Sequence, residues 1–471
     1  MKLENLIFKN ECTTEKLPSE VDITHIAAHH NNIKNGSLFF HIPSLSGKEI
    51  NTEAILKKRP AAIVTECGNI FGKTKIPLIE VLSARKALSY AMATFAGIDF
   101  SKTKFIGITG TNGKTTVATM LKTILEHSGK KCGLIGTGKI LSGDTLISPE
   151  QYTMTCPDPE ILYPAIKQMQ NDGCEIIIME ASSHALALDK LFPIPFTLGV
   201  FTGLSSEHMD FHKDMDNYLS AKEKLIENAK SAIINIDDKS GRHLYEKYKA
   251  KSKSIGIIWE ADACATDVCN RGLEGCRYIY KTDKHMTRIT LKIPGLYNIY
   301  NSMLAVAAAI SLGVAPRLCK EGLNGLEKIE GRMEVIRDEI TVIIDYAHTP
   351  FALQNLLKTA FTNKKVGQNI ILVFGCGGER DKEKRPEMAN VAERYASKTI
   401  VTADNSRGES LGEIISGITS GFHSQKYGVI TDRATAIKYA IQSAEKDDIV
   451  IIAGKGHERY ILDENGYHDF D

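Results

Sequence analysis

The feature that most constrains the fold is a recurring alternation between short apolar runs and segments with helical periodicity. The run FIGITG at 105–110 leads into a glycine-rich stretch and then VATMLKTILEHSG at 117–129, whose apolar residues recur at helical spacing. Further apolar runs are EIIIME, FTLGVFT, SAIINI, TVIIDY, NIILVFG, SKTIVTA and DDIVIIAG. Short, wholly apolar strands that alternate with helices are typical of parallel sheets covered on both faces. The sequence therefore predicts an α/β protein.

The length of the chain indicates several domains. At 471 residues it is too long for a single hydrophobic core. A break near KIEGRME separates two series of strands and helices, and the first hundred residues form a smaller unit. We therefore predict three domains, which are a small N-terminal α/β domain at 1–103, a central domain with a mostly parallel sheet at 104–331, and a C-terminal Rossmann-like domain at 332–471.

Composition and charge argue against several classes of protein. The net charge of +1 does not favour binding to nucleic acid through a basic surface. The longest apolar segment, MLAVAAAISLGVA, is shorter than the roughly 20 residues that a membrane helix needs. The 10 cysteines lack the spacing of a zinc site. We expect a cytoplasmic protein with free thiols and without nucleic-acid or membrane partners.

The segment GITGTNGKTT at 107–116 lies between a predicted strand and a predicted helix. Main-chain amides in such a loop, together with the helix N-terminus, bind phosphates. Lys114 is expected to reach the β- and γ-phosphates, and Thr115 to hold Mg²⁺. Ile108 occupies the place of the first glycine in the general pattern GxxxxGK[ST], so the alternative is a glycine-rich turn without a ligand.

Two further segments carry candidate metal ligands. Glu180 ends the apolar strand of IIIMEASSHAL, at the sheet edge where open α/β folds bind ligands, which makes it a candidate Mg²⁺ ligand. A surface glutamate is the alternative. The stretch SSEHMDFHKDMDNYLSAKEKLI contains several acids, His208, His212 and then Lys222, and the clustered histidines and acids suggest a second metal. From spacing alone, a charged surface helix explains that stretch better.

Together these segments resemble the Mur ligase family. The matching motifs are GTNGKTT, MEASSHAL, EHMDFH with AKEKL, GLYNIYN, EGRME, DYAHTP, VFGCGGERDKEKRPEM and AGKGHE, which follow the family's order from residue 110 to residue 458. DYAHTP, the GCGG-RD-KRP-M pattern and GKGHE are typical of members that add the third amino acid of the peptide. The resemblance implies that the N-terminal domain binds uridine nucleotide and that the central domain is a P-loop ATPase.

The activity that the resemblance implies is ATP-dependent, ADP-forming amide bond formation in peptidoglycan synthesis, and hence a role in cell wall biogenesis, cell shape and cell division. The γ-carboxylate of UDP-N-acetylmuramoyl-L-alanyl-D-glutamate would take the γ-phosphate of ATP, and an amino acid would displace phosphate from the acyl phosphate. Positioning and neutralisation of charge by Mg²⁺ are what such a transfer needs. The expected partners are these small-molecule substrates, and the expected state is a monomer.

The resemblance also implies roles for individual residues. One Mg²⁺ would be held by Thr115 and Glu180, and a second by His208 and a carbamylated Lys222; with Lys114, these side chains would be the catalytic set. The residues expected at ATP are Gly110, Thr111, Asn112, Gly113, Lys114, Thr115, Thr116, Asn298, Asn301, Arg332, Asp345 and His348. The residues expected at the muramoyl-peptide nucleotide are Thr155, Cys156, Ser182 and Lys190.

Several positions on the nucleotide-sugar side depart from the family pattern. His29, His30 and Asn31 stand where Asp-Ser-Arg is usual, and Cys156 replaces a threonine. Lys190 stands in place of an arginine, which keeps the charge but loses the planar fork. We expect altered contacts to the uridine nucleotide, and binding that changes with pH near the unperturbed histidine pKa of about 6.5 if the two histidines take part.

The segment VTADNSRGES at 401–410 bears on the choice of amino acid. In relatives that add meso-diaminopimelate, a DNPR segment holds the distal carboxylate of the amino acid, and lysine-adding relatives generally lack its arginine. A guanidinium binds a carboxylate through two parallel hydrogen bonds and repels an ammonium group. Arg407 therefore favours meso-diaminopimelate over L-lysine. The residues expected in this pocket are Arg380, Asp404, Asn405, Ser406, Arg407, Gly454 and Glu458, the last suited to the distal ammonium.

Two features leave the specificity open at this stage. Ser406 stands where proline is usual, and the fixed φ of proline would help to hold Arg407. The alternative for Arg407 is a surface pair with Glu409.

Three other functions are possible for such a sequence. They are a folylpolyglutamate synthetase, a catalytically silent Mur-like binding protein, and a ligase of the same chemistry in another pathway. The first of these lacks DYAHTP and GKGHE.

Overall fold

The computed structural model describes residues 1–18, 20–44, 51–149 and 152–470. Within these ranges the chain forms three sheets packed against helices, together with a short C-terminal hairpin. Strands and helices alternate along the chain, as in other α/β folds. The predicted α/β class is confirmed.

The N-terminal sheet lies within residues 25–80. Its elements, with the helix that follows, are β1 (His25–Ala27), β2 (Ser37–Phe40), α1 (Thr52–Lys57), β3 (Ala62–Thr65), β4 (Leu78–Glu80) and α2 (Ala84–Phe95). The strand order is β1-β2-β3-β4, and neighbouring strands are parallel. Leu38, Phe40 and Val64 are buried in its core, which stabilises this unit by the hydrophobic effect.

The central sheet contains the P-loop. The elements of this region are β5 (Lys104–Thr109), α3 (Lys114–His127), β6 (Cys132–Gly136), β7 (Lys139–Ser142), β8 (Thr145–Leu146), α4 (Pro159–Asn171), β9 (Ile176–Glu180), α5 (Ser183–Ala187), β10 (Phe196–Phe201), α6 (Met209–His212), α7 (Met215–Asn228), β11 (Ser231–Asn235), α8 (Lys239–Tyr248), β12 (Ser252–Gly256), β13 (Ala263–Asn270), β14 (Cys276–Thr282), β15 (Met286–Leu291), α9 (Tyr297–Ser311) and α10 (Pro316–Gly325). The strand order is β15-β14-β13-β12-β11-β10-β5-β9-β6-β7-β8. Pairing is parallel from β13 to β6 and antiparallel at both ends.

The C-terminal sheet follows at residue 334. The elements are β16 (Glu334–Arg337), β17 (Thr341–Asp345), α11 (Pro350–Asn363), β18 (Ile370–Phe374), α12 (Lys384–Tyr395), β19 (Lys398–Val401), α13 (Leu411–Thr419), β20 (Tyr427–Val429), α14 (Arg433–Ser443), β21 (Ile449–Ala453), β22 (Tyr460–Asp463) and β23 (Gly466–Asp469). The strand order is β16-β17-β21-β18-β19-β20, parallel except at β16. The proposed domain boundaries, after residues 103 and 331, fall between strands of different sheets.

Helix α3 shows how the sequence produces the central fold. It begins directly after Gly113, whose φ of 87° is in the left-handed region that favours glycine. Val117, Leu121 and Leu125 lie on its buried face and pack into the core. The helix ends at His127, close to the predicted stop at Gly129, whose φ is 85°. The helix N-terminus is thereby held at the carboxyl end of β5.

The topology brings functional segments to one side of both sheets. The carboxyl ends of β5, β6 and β9 carry the P-loop, Thr137 and Glu180, while β17 and β21 end at Asp345 and Ala453. Among the contacts that join the halves, Arg332 Nη2 donates to Thr115 Oγ1 at 3.0 Å, and His457 Nε2 donates to the main-chain oxygen of Thr137 at 2.9 Å. Among the described residues, none of the helices combines the length and apolar composition that a bilayer crossing requires.

Candidate active site

Loops at the carboxyl ends of the central and C-terminal sheets enclose a cleft of about 570 Å³. The predicted site residues that line it are Thr111, Asn112, Gly113, Lys114, Thr115, Thr116, Thr155, Cys156, Glu180, Ser182, Lys190, His208, Lys222, Arg332, His348, Arg380, Asp404, Asn405, Arg407, Gly454 and Glu458. The predicted residues outside its lining are Gly110, Asn298, Asn301, Asp345 and Ser406. The cleft therefore combines segments that are distant in the sequence.

The P-loop is built around Lys114. The ammonium group donates to the main-chain oxygens of Gly110 and Thr111 at 2.9 and 2.8 Å. Glycine is favoured at Gly113, because its φ of 87° lies in the left-handed region and a Cβ would lie 2.4 Å from Asn301 Oδ1. The N-terminus of α3 has no side-chain cap, so its amides remain available for an anion. This arrangement fits the triphosphate of ATP.

Asn298, Asn301 and Asp345 lie behind the cleft rather than in its wall. Asn301 Nδ2 donates to Asn298 Oδ1 at 2.8 Å, and Asn298 Nδ2 donates to the main-chain oxygen of Pro294 at 2.6 Å. Asp345 accepts the main-chain amides of Met333 and Ala347, both at 2.7 Å. In the structure Asn301 packs against the P-loop at Gly113 and Asp345 holds the chain segment around Met333. The contact of these residues with adenine or ribose stays a prediction.

Glu180 is 1 % exposed, so the alternative of a surface glutamate is wrong. Its Oε2 accepts hydrogen bonds from Thr115 Oγ1 at 3.0 Å and from Thr137 Oγ1 at 3.2 Å, and its Oε1 accepts the amide of Thr137 at 3.1 Å. The carboxylate is thus aimed at the same point as the P-loop threonine. Sequence reasoning missed Thr137, although GTGK directly after an apolar run was a signal of a loop at a strand end.

Lys222 is 1 % exposed on α7, which excludes a solvated helix position for it. Its Nζ donates to the main-chain oxygen of Gly110 at 2.8 Å rather than to a carboxylate, and it lies 4.5 Å from the centre of the Tyr218 ring. Burial lowers the pKa of Lys222 well below its usual value, and the charge of Lys114 lowers it further. The lowered pKa favours the unprotonated form of this amine.

His208 and Glu207 follow β10, in a tight turn before α6. His208 has a φ of 60°, and burial lowers its pKa to about 4, so its ring is neutral and able to bind a metal. Glu207 Oε1 is 2.9 Å from His348 Nε2 and 3.7 Å from His208 Nε2. Burial alone would raise the pKa of Glu207, but the hydrogen bond from His348 and the nearby cations hold that pKa below its usual range. Glu207 therefore links the central and C-terminal domains, a role that sequence reasoning missed.

The donors around the P-loop suit magnesium. Within the described ranges, no group of three or more His, Cys, Asp or Glu side chains is arranged to hold a metal ion by itself. Mg²⁺ usually takes one or two carboxylates and completes its shell with phosphate oxygens and water. Thr115 and the buried Glu180 carboxylate fit such a site.

The Mg²⁺ assignment predicts the effect of Glu180→Gln. The amide keeps the shape of the side chain but loses the anionic ligand, so we expect the Mg²⁺ concentration at half-maximal activity to rise by at least about tenfold. Glu175→Gln is the matched control, since Glu175 is exposed at the opposite end of the same strand. Magnesium titrations of activity measure this, and an unchanged requirement in Glu180→Gln would contradict the assignment.

The lowered pKa of His184 predicts that the protein loses stability in acid. Burial lowers the pKa of His184 to about 4, and the nearby His212 contributes. Because an unfolded histidine titrates near 6.5, the unfolded state binds more protons between these values, and stability is lost as pH falls through that window. From about pH 7 to about pH 5, we expect the Tm of the wild type to fall by on the order of 1–2 °C more than that of His184→Gln, measured by calorimetry. An equal decrease in Tm for the wild type and His184→Gln would contradict this prediction.

The residues predicted at the muramoyl-peptide nucleotide lie on one wall of the cleft. Thr155 Oγ1 is 3.1 Å from Thr137 Oγ1, and Ser182 Oγ accepts the amide of Ala185 at 3.2 Å as the cap of α5. Cys156 is buried, and this burial raises the pKa of its thiol to about 12, which leaves it an inert wall residue. Lys190 Nζ is 2.6 Å from Asp158 Oδ1. The ammonium group that replaces the usual guanidinium is therefore already paired.

His29, His30 and Asn31 are not part of this cleft. The two imidazole rings are 4.4 Å apart, His29 is exposed, and its Nδ1 accepts the amide of Asn31 at 3.2 Å. The pH-dependent binding of the uridine nucleotide by this segment stays a prediction.

Two guanidinium groups converge in the C-terminal part of the cleft. Arg407 Nη1 donates to the main-chain oxygens of Gly378 and Asn405 at 2.9 and 3.2 Å. Both arginines line the cleft and approach Gly377, where a Cβ would lie 2.9 Å from Arg407 Nη1 and 3.8 Å from Arg380 Cγ. Burial lowers the pKa of Arg380, and the nearby charge of Arg407 lowers it further. The predicted alternative, a surface pair of Arg407 with Glu409, is wrong, because the Glu409 carboxylate binds Arg385.

Glu458 is held at the same end of the cleft by three donors. Its Oε1 accepts the Tyr346 hydroxyl at 3.0 Å, while its Oε2 accepts Asn405 Nδ2 at 3.0 Å and Lys455 Nζ at 3.2 Å. Lys455 is buried and also donates to Asn405 Oδ1 at 2.9 Å. Sequence reasoning missed Lys455 as the residue that orients Glu458, although it belongs to the motif AGKGHE. The pocket thus offers a carboxylate beside two guanidinium groups.

A P-loop that faces a buried carboxylate, a buried amine and a pocket lined by charged side chains is the arrangement expected of an ATP-dependent ligase. The chain belongs to the Mur ligase family. Residues 108–309 match the Mur ligase middle domain, and residues 331–456 match the glutamate ligase domain of Mur ligases.

Relatives with assigned names support this membership over the whole chain. The chain is 38 % identical over 481 residues to the UDP-N-acetylmuramoyl-L-alanyl-D-glutamate--2,6-diaminopimelate ligase of Clostridioides difficile (strain 630), covering 100 % of this chain and 98 % of that protein. It is 39 % identical over 446 residues to the enzyme of that name from Caldanaerobacter subterraneus subsp. tengcongensis, covering 93 % and 91 %. A solved structure of a ligase with this name is 27 % identical and superimposes with a TM-score of 0.68, covering 97 % of this chain and 94 % of that one.

Proposed function

We propose that this protein uses ATP to join meso-diaminopimelate to UDP-N-acetylmuramoyl-L-alanyl-D-glutamate in peptidoglycan precursor synthesis, releasing ADP and phosphate. The relatives that match over the full length carry this activity in their names. The observation that carries the choice of amino acid is the convergence of Arg380 and Arg407 beside Glu458. In the described part of the chain, neither guanidinium has a carboxylate within salt-bridge distance, so both are free to bind an incoming carboxylate.

The first step activates the D-glutamate residue. An oxygen of its γ-carboxylate attacks the γ-phosphorus of ATP, a new P–O bond forms, and the bond to the β-phosphate oxygen breaks to release ADP. Lys114 and Arg332 lie at the P-loop and stabilise the negative charge that builds up on the transferring group. Bound Mg²⁺, held by Thr115 with Glu180 and by His208 with modified Lys222, would neutralise the phosphates.

The second step forms the amide. The free amine of meso-diaminopimelate attacks the acyl carbon, the tetrahedral intermediate collapses, and phosphate leaves with the bonding pair while the amine loses a proton to solvent. Arg380 and Arg407 would grip the distal carboxylate, and Glu458 would pair with the distal ammonium. These contacts hold the amine at the acyl carbon, and such positioning supplies much of the rate enhancement.

We propose that Lys222 is carbamylated. The neutral amine attacks CO₂, a bond forms between Nζ and carbon, and one proton is released, which leaves an anionic carbamate. Support comes from the lowered pKa of Lys222, because only the unprotonated amine can react. The product is a carboxylate-like ligand, the type of donor that magnesium prefers.

We also propose that the enzyme acts as a monomer in the cytoplasm. The support is that the residues predicted to bind ATP and the amino acid line the same cleft within one chain, so that the proposed site needs no residue from a second copy. Light scattering on the purified protein measures the mass directly, and a dimer mass would contradict the monomer.

The function is tested by phosphate release in reactions with single omissions. We expect ADP and phosphate only when ATP, UDP-N-acetylmuramoyl-L-alanyl-D-glutamate and meso-diaminopimelate are all present. Equal ADP release without the nucleotide peptide or the amino acid would indicate a plain ATPase. Absence of turnover with any of a panel of amino acids would favour a silent binding protein, and turnover with a folate substrate would favour a folylpolyglutamate synthetase.

A further inference from the structure

Next to the amino-acid pocket lies a buried ion pair between Glu409 and Arg385, two side chains that do not themselves line the cleft. The Glu409 side chain is 8 % exposed and that of Arg385 is 3 % exposed. Arg385 Nη1 and Nη2 donate to Glu409 Oε1 and Oε2, both at 2.9 Å, which is the two-pronged geometry of a strong carboxylate contact. Glu409 belongs to the loop that carries Arg407, and Arg385 to the first turn of α12.

The Glu409 carboxylate also reaches the loop that carries Arg380. Its Oε2 accepts the main-chain amide of Glu379 at 2.9 Å, and Lys382 Nζ is 3.1 Å from its Oε1. Arg385 in turn donates to the main-chain oxygen of Gly377 at 3.4 Å. The Glu409 carboxylate thus connects the loop at 377–385, which carries Arg380, to the loop at 404–410, which carries Arg407.

The two loops are packed without spare room. A Cβ on Gly378 would lie 2.0 Å from the main-chain oxygen of Ser406, and one on Gly377 would lie 2.9 Å from Arg407 Nη1. The amide of Gly378 donates to the main-chain oxygen of Asn405 at 2.9 Å. A small shift of either loop would therefore move Arg407 relative to Arg380.

The two guanidinium groups of the pocket stay close together only if contacts between their loops hold them. Arg380 and Arg407 repel each other across the pocket before a substrate carboxylate arrives, and this repulsion favours separation of their loops. Ser406 lacks the fixed φ of a proline and does not restrain the loop by itself. The contacts of Glu409 with Arg385 and with the Glu379 amide join the two loops and so oppose their separation.

We propose that Glu409 and Arg385 are positioning residues that set the spacing of Arg380 and Arg407, and thereby the affinity for an amino acid with a distal carboxylate. The inference rests on the proposed function, since it assumes that these two guanidinium groups bind the substrate. Neither Glu409 nor Arg385 touches the substrate in this account.

The test compares Glu409→Gln and Arg385→Lys with the wild type in steady-state kinetics. Glu409→Gln keeps the shape of the side chain and one oxygen that can accept the Glu379 amide. Arg385→Lys keeps the positive charge but loses the planar guanidinium that donates two parallel hydrogen bonds. We expect KM for meso-diaminopimelate to rise roughly 10- to 100-fold in both, with KM for ATP and for the nucleotide peptide changed less than about twofold. Lys382→Met is the matched control, because its exposed ammonium reaches the same carboxylate; it should stay within about twofold of wild type.

A merely stabilising ion pair would give a different pattern. It would lower Tm and the active fraction, and so kcat, while leaving all three KM values unchanged, and that result would overturn the inference. If Glu409→Gln does not fold, Arg385→Lys and Glu409→Asp carry the same comparison. A wild type that prefers L-lysine would overturn the proposed function, whereas a preference for meso-diaminopimelate with unchanged KM in the variants would overturn only the positioning role.

Discussion

Replacing Lys222 with methionine is expected to lower kcat by at least about 10²-fold, the cost of removing one preorganised electrostatic group from an active site. Methionine fills a similar volume, so the core around Tyr218 stays packed. The amine that would become the carbamate is lost, and with it the anionic ligand of the second magnesium ion. Steady-state phosphate release at saturating substrates measures the effect.

Lys224→Met is the matched control for this variant. Lys224 lies on the same helix, its side chain is 42 % exposed, and it pairs with Asp189 at 3.2 Å away from the P-loop. We expect activity within about twofold of the wild type. Near-normal activity of Lys222→Met would show that the buried lysine is structural only and would contradict the second metal site.

The second large effect is expected from Arg407→Ala. Because the guanidinium is the group that binds a distal carboxylate, its removal should lower kcat/KM for meso-diaminopimelate by roughly 10²- to 10³-fold, or about 3–4 kcal/mol. L-Lysine has no distal carboxylate, so kcat/KM for L-lysine should change less than about threefold or rise as the repulsion of its ammonium is relieved.

Arg394→Ala controls for the loss of a cation from the same domain. Arg394 is exposed on α12 and packs on the Tyr395 ring, outside the cleft. The kinetic constants of Arg394→Ala should match those of the wild type for both amino acids. Full selectivity for meso-diaminopimelate in Arg407→Ala would show that this loop does not choose the substrate.

Much of the α/β core was predictable because its strands are apolar on both faces. The runs that became β5, β9, β10 and β11 in the central sheet, and β17, β18, β19 and β21 in the C-terminal sheet, are short and rich in β-branched residues, and all of them except β21 are followed by a helix. The antiparallel extension β13-β14-β15 was not predicted. Its strands alternate between buried and exposed residues, and this weaker signal is easily mistaken for a polar loop.

The site divides in a similar way. The P-loop and Glu180 follow directly from a glycine-rich loop and an acid at a strand end, which are local signals. The partners that orient the site come from distant segments: Thr137 beneath Glu180, Lys455 against Glu458, and Glu207 against His348. The same is true of Glu409, which the sequence places two residues from Arg407 but the fold pairs with Arg385. Tertiary packing chooses such partners, and residue spacing does not reveal them.

The central claim is that this ligase selects an amino acid with a distal carboxylate. It is tested most directly by kcat/KM of the wild-type enzyme for meso-diaminopimelate and for L-lysine, measured with ATP and UDP-N-acetylmuramoyl-L-alanyl-D-glutamate in the same assay. We predict a preference for meso-diaminopimelate of at least about 10²-fold, because L-lysine leaves both pocket guanidinium groups without a partner. Equal values, or a preference for L-lysine, would contradict the account.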